Sequence, residues 1–460
     1  MRRTLKYLLY VAMVALLSTF CASKAYAQGS INAYSPCTMY GIGELRTLGS
    51  TQQLAMGGMG VAWRSAQMVS YLNPAGLSST PQKKFILDVG AEAAFMKNRQ
   101  NLYDLNNDFL RQTQNAKNTV NIHSVAVQFP IYRALGAMIS VSPYSSVGYS
   151  MWSEEQSEDI WGSAGQIRYM YTGQGDITEV KVGIGWEPFR GFSIGFAGKY
   201  YWGNISRDYA TMVHADYTTD QTISSIVGTT DFSVNSFKFQ LGVQWNALAT
   251  QKRLLTFGAT YDYGGPLKPR VTDNMYLNDM FYTSVVLSDK SNEMRLPHDV
   301  TLGVTYQTSK IVLGFDYQYR GWGSNNGYFE EQAYGGLHVT YQDTSTFKFG
   351  IDYVPNRFDV RNYTRRVSYR LGFRYGDNYQ VFGGKPTTNF AVSAGIGFPL
   401  RFLGATSINL SLEYGRNGSL SSTLNDIASR IGLIKQEYFR INLGFSLFGE
   451  DYWFVRPKYD

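Results

Sequence analysis

Residues 311–320 read IVLGFDYQYR, and their alternation decides the fold class. Every odd position from Ile311 to Tyr319 is apolar or aromatic, whereas even positions include small and charged residues such as Gly314 and Asp316. Successive side chains of a β-strand point to opposite faces, so the stretch predicts a strand with one apolar face. The same alternation recurs in stretches that begin at Phe192, Phe237, Leu255, Val367 and Phe439.

The composition agrees with an all-β protein. Charged residues make up only 17% of the 460 residues, aromatic residues reach 15%, and there are 46 glycines. Low charge and many aromatics argue against a disordered chain, and glycine and aromatics are poor helix formers. Two cysteines exclude a disulfide scaffold and a cysteine-based zinc cluster.

The N-terminus predicts export. Arg2 and Arg3 precede an apolar run at residues 7–17, YLLYVAMVALL, and a small-x-small site, AYA, follows at residues 25–27. These features predict a signal peptide over residues 1–27. The alternative is a membrane anchor, for which the run of 11 residues is short.

The net charge of +7 does not indicate a nucleic-acid partner. Residues 1–27 carry four basic residues and no acid, so residues 28–460 carry only +3. No dense run of lysine and arginine is present, and we expect no nucleic-acid binding.

Two all-β architectures alternate in this way, a soluble sandwich and a membrane barrel. The predicted strands run to 10–14 residues, tyrosine and tryptophan gather near strand ends, and short connections alternate with long ones. Sandwich strands are usually shorter, and short turns opposite long loops are typical of outer-membrane barrels. The sequence therefore favours a transmembrane β-barrel. The predicted long connections are residues 98–118, 151–173, 209–234 and 269–296.

Counting the alternating stretches predicts 14 antiparallel strands. A fifteenth candidate, residues 335–342, would put later long loops on the wrong side, so we assign it to an outer-loop extension. The predicted strands lie near residues 84–97, 119–130, 134–150, 176–187, 190–205, 235–247, 253–266, 297–307, 310–322, 345–355, 366–376, 387–399, 405–415 and 436–448.

Residues 28–83 do not alternate and are rich in glycine, with GGMGVA at 57–62 and NPAGL at 73–77. We predict a compact plug, or hatch, inside the lumen of a barrel formed by residues 84–460. A flexible periplasmic arm is the alternative.

GGMGVA followed by NPAGL just before the first strand resembles the FadL/OmpP1/TodX family of outer-membrane barrels, and residues 35–43 resemble its Bacteroidota-type members. The resemblance implies a plugged 14-stranded barrel in the outer membrane of a Gram-negative cell. It also implies passive uptake of hydrophobic small molecules or long-chain fatty acids, with membrane lipid as a partner and no cofactor. Some relatives are scaffolds in larger assemblies, including one related to type IX secretion, so a non-transporting barrel subunit with outer-membrane protein partners is the alternative.

The motif at Asn73, Pro74, Ala75 and Gly76 maps onto the family's hatch element. Asparagine can hydrogen-bond within its own turn and proline fixes φ, so the motif either shapes the hatch turn or contacts the ligand, and we favour the turn.

The family's route leaves sideways through a break in the third strand. That strand contains Pro143, which cannot donate to a sheet ladder, beside Ser142, Ser145 and Gly148. These residues predict a lateral window in the membrane or, alternatively, a bulge above it.

Several charged residues share the parity of the lumen face. They either line a solute path or brace plug and wall by ion pairs, and we favour bracing because buried opposite charges usually neutralise each other. The predicted lumen charges are Lys199, Asp262, Asp316, Arg320, Arg370 and Arg374.

No enzyme motif accompanies these features, and we expect no catalytic residues, no metal and no cofactor. His123 and Ser124 are adjacent on a predicted strand, so the alternation places Ser124 in the lumen and His123 towards lipid. The pair could meet only across a bulge.

Overall fold

The computed structural model describes residues 35–104, 106–154, 166–216, 219–277, 280–287, 294–325, 339–400, 406–424 and 430–450. The predicted signal peptide and residues 28–34 of the predicted plug lie outside these residues.

Fourteen long antiparallel strands form a closed barrel. Each pairs with its neighbours in chain order, and the last pairs with the first from Lys84 opposite Glu450 to Gln100 opposite Ile434. The wall strands are β1 (Lys84–Tyr103), β2 (Phe109–Tyr132), β3 (Leu135–Glu154), β4 (Gln166–Phe189), β5 (Phe192–Asp216), β6 (Thr219–Ala249), β7 (Arg253–Asp262), β8 (Asp299–Thr308), β9 (Ile311–Arg320), β10 (Thr344–Tyr353), β11 (Ser368–Phe382), β12 (Lys385–Pro399), β13 (Ser407–Gly418) and β14 (Ile434–Glu450).

The predicted fold class and strand count are confirmed. In β9 the odd-numbered Ile311, Leu313 and Phe315 are exposed on the outside, whereas Val312 and Asp316 are buried on the inside. An outward apolar band with an inward polar face is the pattern of a transmembrane barrel. Within the described ranges, no helix is long and apolar enough to cross a membrane.

The predicted long connections are wrong in extent, because much of their length continues the strands. β1 and β2 stay paired out to Tyr103 opposite Phe109, and β5 and β6 stay paired out to Asp216 opposite Thr219. These extensions rise past the apolar band, where both faces of a hairpin meet water. The alternation of apolar and polar side chains is therefore weak in these extensions, although the backbone pairing continues.

Short strands and helical turns accompany the 14 wall strands. Of the excluded fifteenth candidate, residues 339–342 are described, and they contain a short strand, Val339–Tyr341, whose pairing among the described residues is with the end of β11. The remaining short strands are Glu44–Leu45, Gly265–Pro266, Arg270–Leu277, Met280–Leu287, Arg295–Leu296, Ser422–Leu424 and Arg430–Gly432. The helices are the single-turn α1 (Thr51–Leu54) and the 3₁₀ turns Pro36–Met39, Pro74–Ser79, Trp322–Asn325 and Thr364–Arg366.

Residues 35–83, here called the hatch segment, lie inside the ring of strands. The helix α1 packs against β12, β13 and β14, while the 3₁₀ turn Pro74–Ser79 packs against β3 to β6 on the opposite side. The segment is largely buried, and its Ser50 forms a capping box with Gln53 that starts α1.

Candidate functional site

The Asn-Pro-Ala-Gly motif closes the hatch turn. The Asn73 side chain accepts a hydrogen bond from the Ala75 backbone N–H at 3.0 Å, and its amide donates to the carbonyls of Val61 and Val243 at 2.9 and 3.1 Å. The motif is buried against the wall, and none of its four residues lines the chamber described below. These contacts support the turn-shaping interpretation.

Glycines in the wall let this turn approach closely. A Cβ atom on Gly195 of β5 would lie 2.3 Å from the backbone nitrogen of Ala75, and one on Gly242 of β6 would lie 2.1 Å from the Asn73 oxygen. Both distances are far inside contact range. The inward glycines predicted from alternation therefore fit the hatch turn to the wall.

The glycine-rich stretch carries the second anchor. Gly57 has a φ of +72°, a left-handed conformation that favours glycine, and its Cα faces the Phe373 backbone of β11. The Asp316 carboxylate oxygen Oδ2 accepts hydrogen bonds from the backbone N–H groups of Gly60 and Val61 at 2.7 and 3.0 Å. A buried carboxylate of the wall thus holds the hatch backbone directly.

The other predicted lumen charges also face inward, and each has a partner of opposite charge. Arg370 additionally donates to the hatch residue Gln52 at 3.4 Å, which fits the predicted bracing role. The ion pairs are Lys199–Asp262 at 2.5 Å, Arg320–Asp299 at 2.8 Å, Arg370–Asp352 at 3.4 Å and Arg374–Glu413 at 3.0 Å.

The wall is incomplete between β2 and β3. These strands pair only along residues 125–132 of β2 and 135–141 of β3. Beyond Val141, β3 separates from β2, and its ladder with β4 shifts register between Pro143 and Ser145. We call the unpaired stretch the seam. It begins at the four residues predicted to form a window or a bulge, and a bulge is present there.

The hatch segment takes the place of β2 along the seam. Its strand Glu44–Leu45 pairs with Ser145 and Ser146 of β3. Further along, the Gly148 carbonyl accepts a hydrogen bond from the Ser35 backbone N–H at 3.0 Å, and the Gly148 N–H donates to the Thr38 hydroxyl at 3.1 Å. The edge that β2 leaves open is therefore covered from within.

Arg46 crosses behind the seam and was missed by the sequence analysis. Its backbone N–H donates to the Tyr144 carbonyl at 2.9 Å, and its guanidinium donates to Ser146 of β3 at 3.2 Å and to Glu92 of β1 at 2.8 Å. Arg440 of β14 reinforces the same place by pairing with the hatch residue Glu44 at 2.7 Å. No local motif marks these residues, because they come from distant parts of the chain.

The predicted orientation of His123 is wrong. A bulge opposite Gly90 and Ala91 turns the ring inward, where it bonds the Thr51 hydroxyl at 3.0 Å and the Ser124 hydroxyl at 2.8 Å. One extra residue on a strand reverses the parity of its neighbour, and alternation alone does not reveal it. The histidine ties the hatch to the wall.

A chamber of about 1210 Å³ lies inside the barrel and is bordered by the hatch segment. Its lining is mixed: charged residues such as Lys181 and Asp262 line it, and so do aromatic residues, including Tyr171, Trp322 and Tyr379. Residues from both borders of the seam line it: Leu110, Arg111 and Thr113 of β2, and residues 150–154 of β3. A smaller cavity behind the seam shares the lining residues Arg46 and Thr47 with the chamber.

One lysine that lines the chamber also bonds the hatch segment. The Lys181 ammonium donates to the Tyr71 carbonyl at 2.6 Å and also bonds Gln240. Burial raises the pKa of the Tyr71 hydroxyl, so this phenol stays protonated and donates to Asp88 at 3.3 Å. Burial likewise raises the pKa of the Cys37 thiol to about 11, which keeps this cysteine in its unreactive protonated form.

Among the described residues no cluster of His, Cys, Asp and Glu side chains could hold a metal ion.

This arrangement defines a class of protein: a closed 14-stranded transmembrane barrel with its N-terminal segment folded inside. Solved structures of that class match most of the chain. They include a Pseudomonas aeruginosa FadL homologue (13% identity, TM-score 0.58, 88% of this chain and 99% of that one). The Ralstonia pickettii toluene transporter TbuX (12%, 0.54, 86% and 97%) and the Pseudomonas putida toluene transporter TodX (13%, 0.53, 87% and 98%) are similar in fold.

The chain belongs to the BamG family, whose model matches residues 9–460. Among curated proteins, none matches the chain.

Proposed function

We propose that this protein is an outer-membrane channel for passive uptake of small hydrophobic or amphipathic molecules, with long-chain fatty acids as one class. The observation that carries the proposal is the chamber of about 1210 Å³, which is lined in part by aromatic residues and reaches the seam. Its volume suits a small organic ligand. Solved barrels of the same fold include two toluene transporters, which supports the choice of ligand class.

The orientation follows from the two ends of the barrel. Connections at one end are as short as residues 133–134 and 190–191, whereas those at the other end are extended hairpins. Short turns face the periplasm and long loops face outward in outer-membrane barrels. The chamber then opens to the outside and the hatch segment lies on the periplasmic side.

The route we propose is lateral. A direct path to the periplasm would have to pass the hatch, where residues such as Met56, Met59 and Leu77 are fully buried. The seam offers a lateral exit, because it lacks backbone hydrogen bonds between β2 and β3 above Val141. Arg46 and the strand Glu44–Leu45 close it, so their withdrawal would join the chamber to the lipid through Ser142, Pro143, Ser145 and Gly148.

The first test is mass spectrometry of small molecules extracted from the purified barrel, for the native protein and for Pro143→Val. Valine restores a backbone N–H and favours a continuous strand. We expect a bound fatty acid or similar molecule whose amount changes in the variant. An empty native barrel that co-purifies with stoichiometric protein partners would contradict uptake.

One observation favours a second candidate, a scaffold subunit. The strands Arg270–Leu277 and Met280–Leu287 extend the outer end of β6, and the second pairs only with the first in the described part of the chain. Met280 and Tyr282 are 73% and 69% exposed there. An exposed, uncharged edge strand is a surface on which another protein can add a strand.

A further inference from the structure

The connection between β10 and β11, residues 354–367, differs from the other turns at the short-turn end. It has 14 residues, whereas the hairpins β2–β3, β4–β5 and β8–β9 each close with two. We call it the basic loop. Hairpins normally need two to five residues, so the additional length serves something other than joining two strands.

The basic loop holds a fixed conformation. The Asp359 carboxylate accepts hydrogen bonds from the backbone N–H groups of Asn362 and Arg361 at 2.8 and 2.9 Å. These backbone donors, with Asn362 foremost, lower the pKa of Asp359, so the carboxylate stays charged well into mild acid. The Asn356 N–H donates to the Arg365 carbonyl at 2.7 Å and closes the base of the loop.

The tip of this loop presents two large apolar side chains to solvent. Phe358 is 89% exposed and Val360 is 77% exposed, the highest values among the large apolar residues of the short-turn end. Ordering a loop to expose a phenylalanine costs free energy unless the ring is covered in use. The exposed side chains at the tip are therefore suited to insert into an apolar pocket on another molecule.

The loop is also strongly basic. Its charged residues are one aspartate, Asp359, and four arginines, which gives a net charge of +3. Arg357 and Arg361 flank the tip, are exposed, and make no side-chain hydrogen bond or ion pair with any described residue. Their charges are available to a partner. The four arginines are Arg357, Arg361, Arg365 and Arg366.

The tip lies on the aqueous side of the membrane interface. Tyr353 is the last residue of β10 and Tyr369 is the second residue of β11; the two pair in register and point outward. Outward tyrosines at strand ends mark the interface of a membrane barrel. Phe358 follows Tyr353 by five residues, beyond this girdle, so a protein surface suits it better than lipid.

We propose that the basic loop docks a periplasmic protein through an apolar pocket for Phe358 that is rimmed with aspartate and glutamate. The placement rests on the orientation proposed above, whereas the docking does not depend on ligand uptake. An aromatic anchor in a buried pocket supplies affinity, and the arginine rim supplies steering and specificity.

The test places a photo-crosslinking phenylalanine analogue at position 358 of the full-length protein in cells. The matched control carries the same analogue at Lys252, an exposed position in another short turn. A third protein combines the probe at 358 with Arg357→Glu and Arg361→Glu. Unchanged heat-modifiable mobility in gels verifies that each barrel is folded.

We expect one major protein adduct at position 358 and none at 252. Its yield should fall by about tenfold or more with the two charge reversals, because like charges would then face each other. Adducts with lipid alone, an equal adduct at Lys252, or a yield unaffected by charge reversal would each overturn the proposal. Failure of ligand uptake would leave these outcomes unchanged, which separates the two proposals.

Discussion

Asp316 shows what a single buried carboxylate does in this barrel. It accepts two backbone hydrogen bonds from the hatch segment, and the carboxylate and both donor residues are buried. A buried donor left without a partner costs about 1–3 kcal/mol. This one side chain therefore couples the stability of the hatch segment to that of the wall.

We expect Asp316→Ala to lower the free energy of unfolding by about 2–4 kcal/mol, because two buried N–H groups lose a charged acceptor. Urea unfolding followed by tryptophan fluorescence measures the change. Asp316→Asn keeps one acceptor oxygen and should lose less. Asp377→Ala, which removes an exposed carboxylate in β11, is the matched control. Equal losses in all three variants would contradict the anchoring role.

At the scale of single residues, the sequence predicts which face of a strand a side chain occupies, but not which residue it contacts. Alternation places Asp316 and Arg370 in the lumen, because period two is a property of each strand by itself. It cannot show that Asp316 meets Gly60, since that contact joins positions 256 residues apart. It also places His123 wrongly, because a bulge shifts parity without a signal in the pattern.

At the scale of elements, the seam and the hatch segment form one unit. β3 has backbone groups without a partner on β2 above Val141, and the strand Glu44–Leu45 supplies partners for some of them. Arg46 adds a charge-assisted bridge between β3 and β1. The closed state is therefore held by a few named bonds and not by a full ladder.

We expect Arg46→Ala to speed the entry of a fluorescent long-chain fatty acid into proteoliposomes by about tenfold. A charged hydrogen bond contributes about 1.5–3 kcal/mol, and 1.4 kcal/mol corresponds to a factor of ten. Arg64→Ala is the matched control, because Arg64 joins the hatch to Glu187 at 2.7 Å, away from the seam. Equal acceleration by both variants would point to general loosening of the hatch, and no change in either would reject the gate.

The sequence locates the break in β3 through Pro143 but not what covers it. Proline marks a position that cannot donate to a ladder, which is a local property. The covering strand, Glu44–Leu45, is two residues long and is too short to show an alternation of apolar and polar side chains. The extensions of β1, β2, β5 and β6 were missed for the opposite reason, because backbone pairing continues where the side-chain pattern has faded.

At the scale of the whole molecule, 14 strands enclose a lumen too wide to be filled by inward side chains alone. The hatch segment fills that space and reaches both sides of the wall, through α1 on β12 to β14 and through Pro74–Ser79 on β3 to β6. The strand count was predictable because apolar and polar side chains alternate within each wall strand. The path of the hatch segment was not, since it depends on contacts with every side of the ring.

We expect deletion of residues 35–80 to convert a silent barrel into an ion-conducting one, because the 14 wall strands keep their pairing with one another while the lumen empties. Single-channel recording in planar bilayers measures this, and heat-modifiable mobility verifies folding. Gly57→Trp provides a milder variant in which the hatch is present but cannot seat against Phe373. A folded deletion barrel that stays silent would contradict the plugging role.

The position of the hatch segment also sets an order of assembly. It precedes β1 in the chain, yet it ends up encircled by a ring that closes only when β14 pairs with β1. The hatch segment is synthesised before every wall strand, so its contacts with β3 to β6 can form while the sheet is still open. Its contacts with β12 to β14 require the last strands of the chain. The final hatch contacts therefore form with the same strands that close the ring.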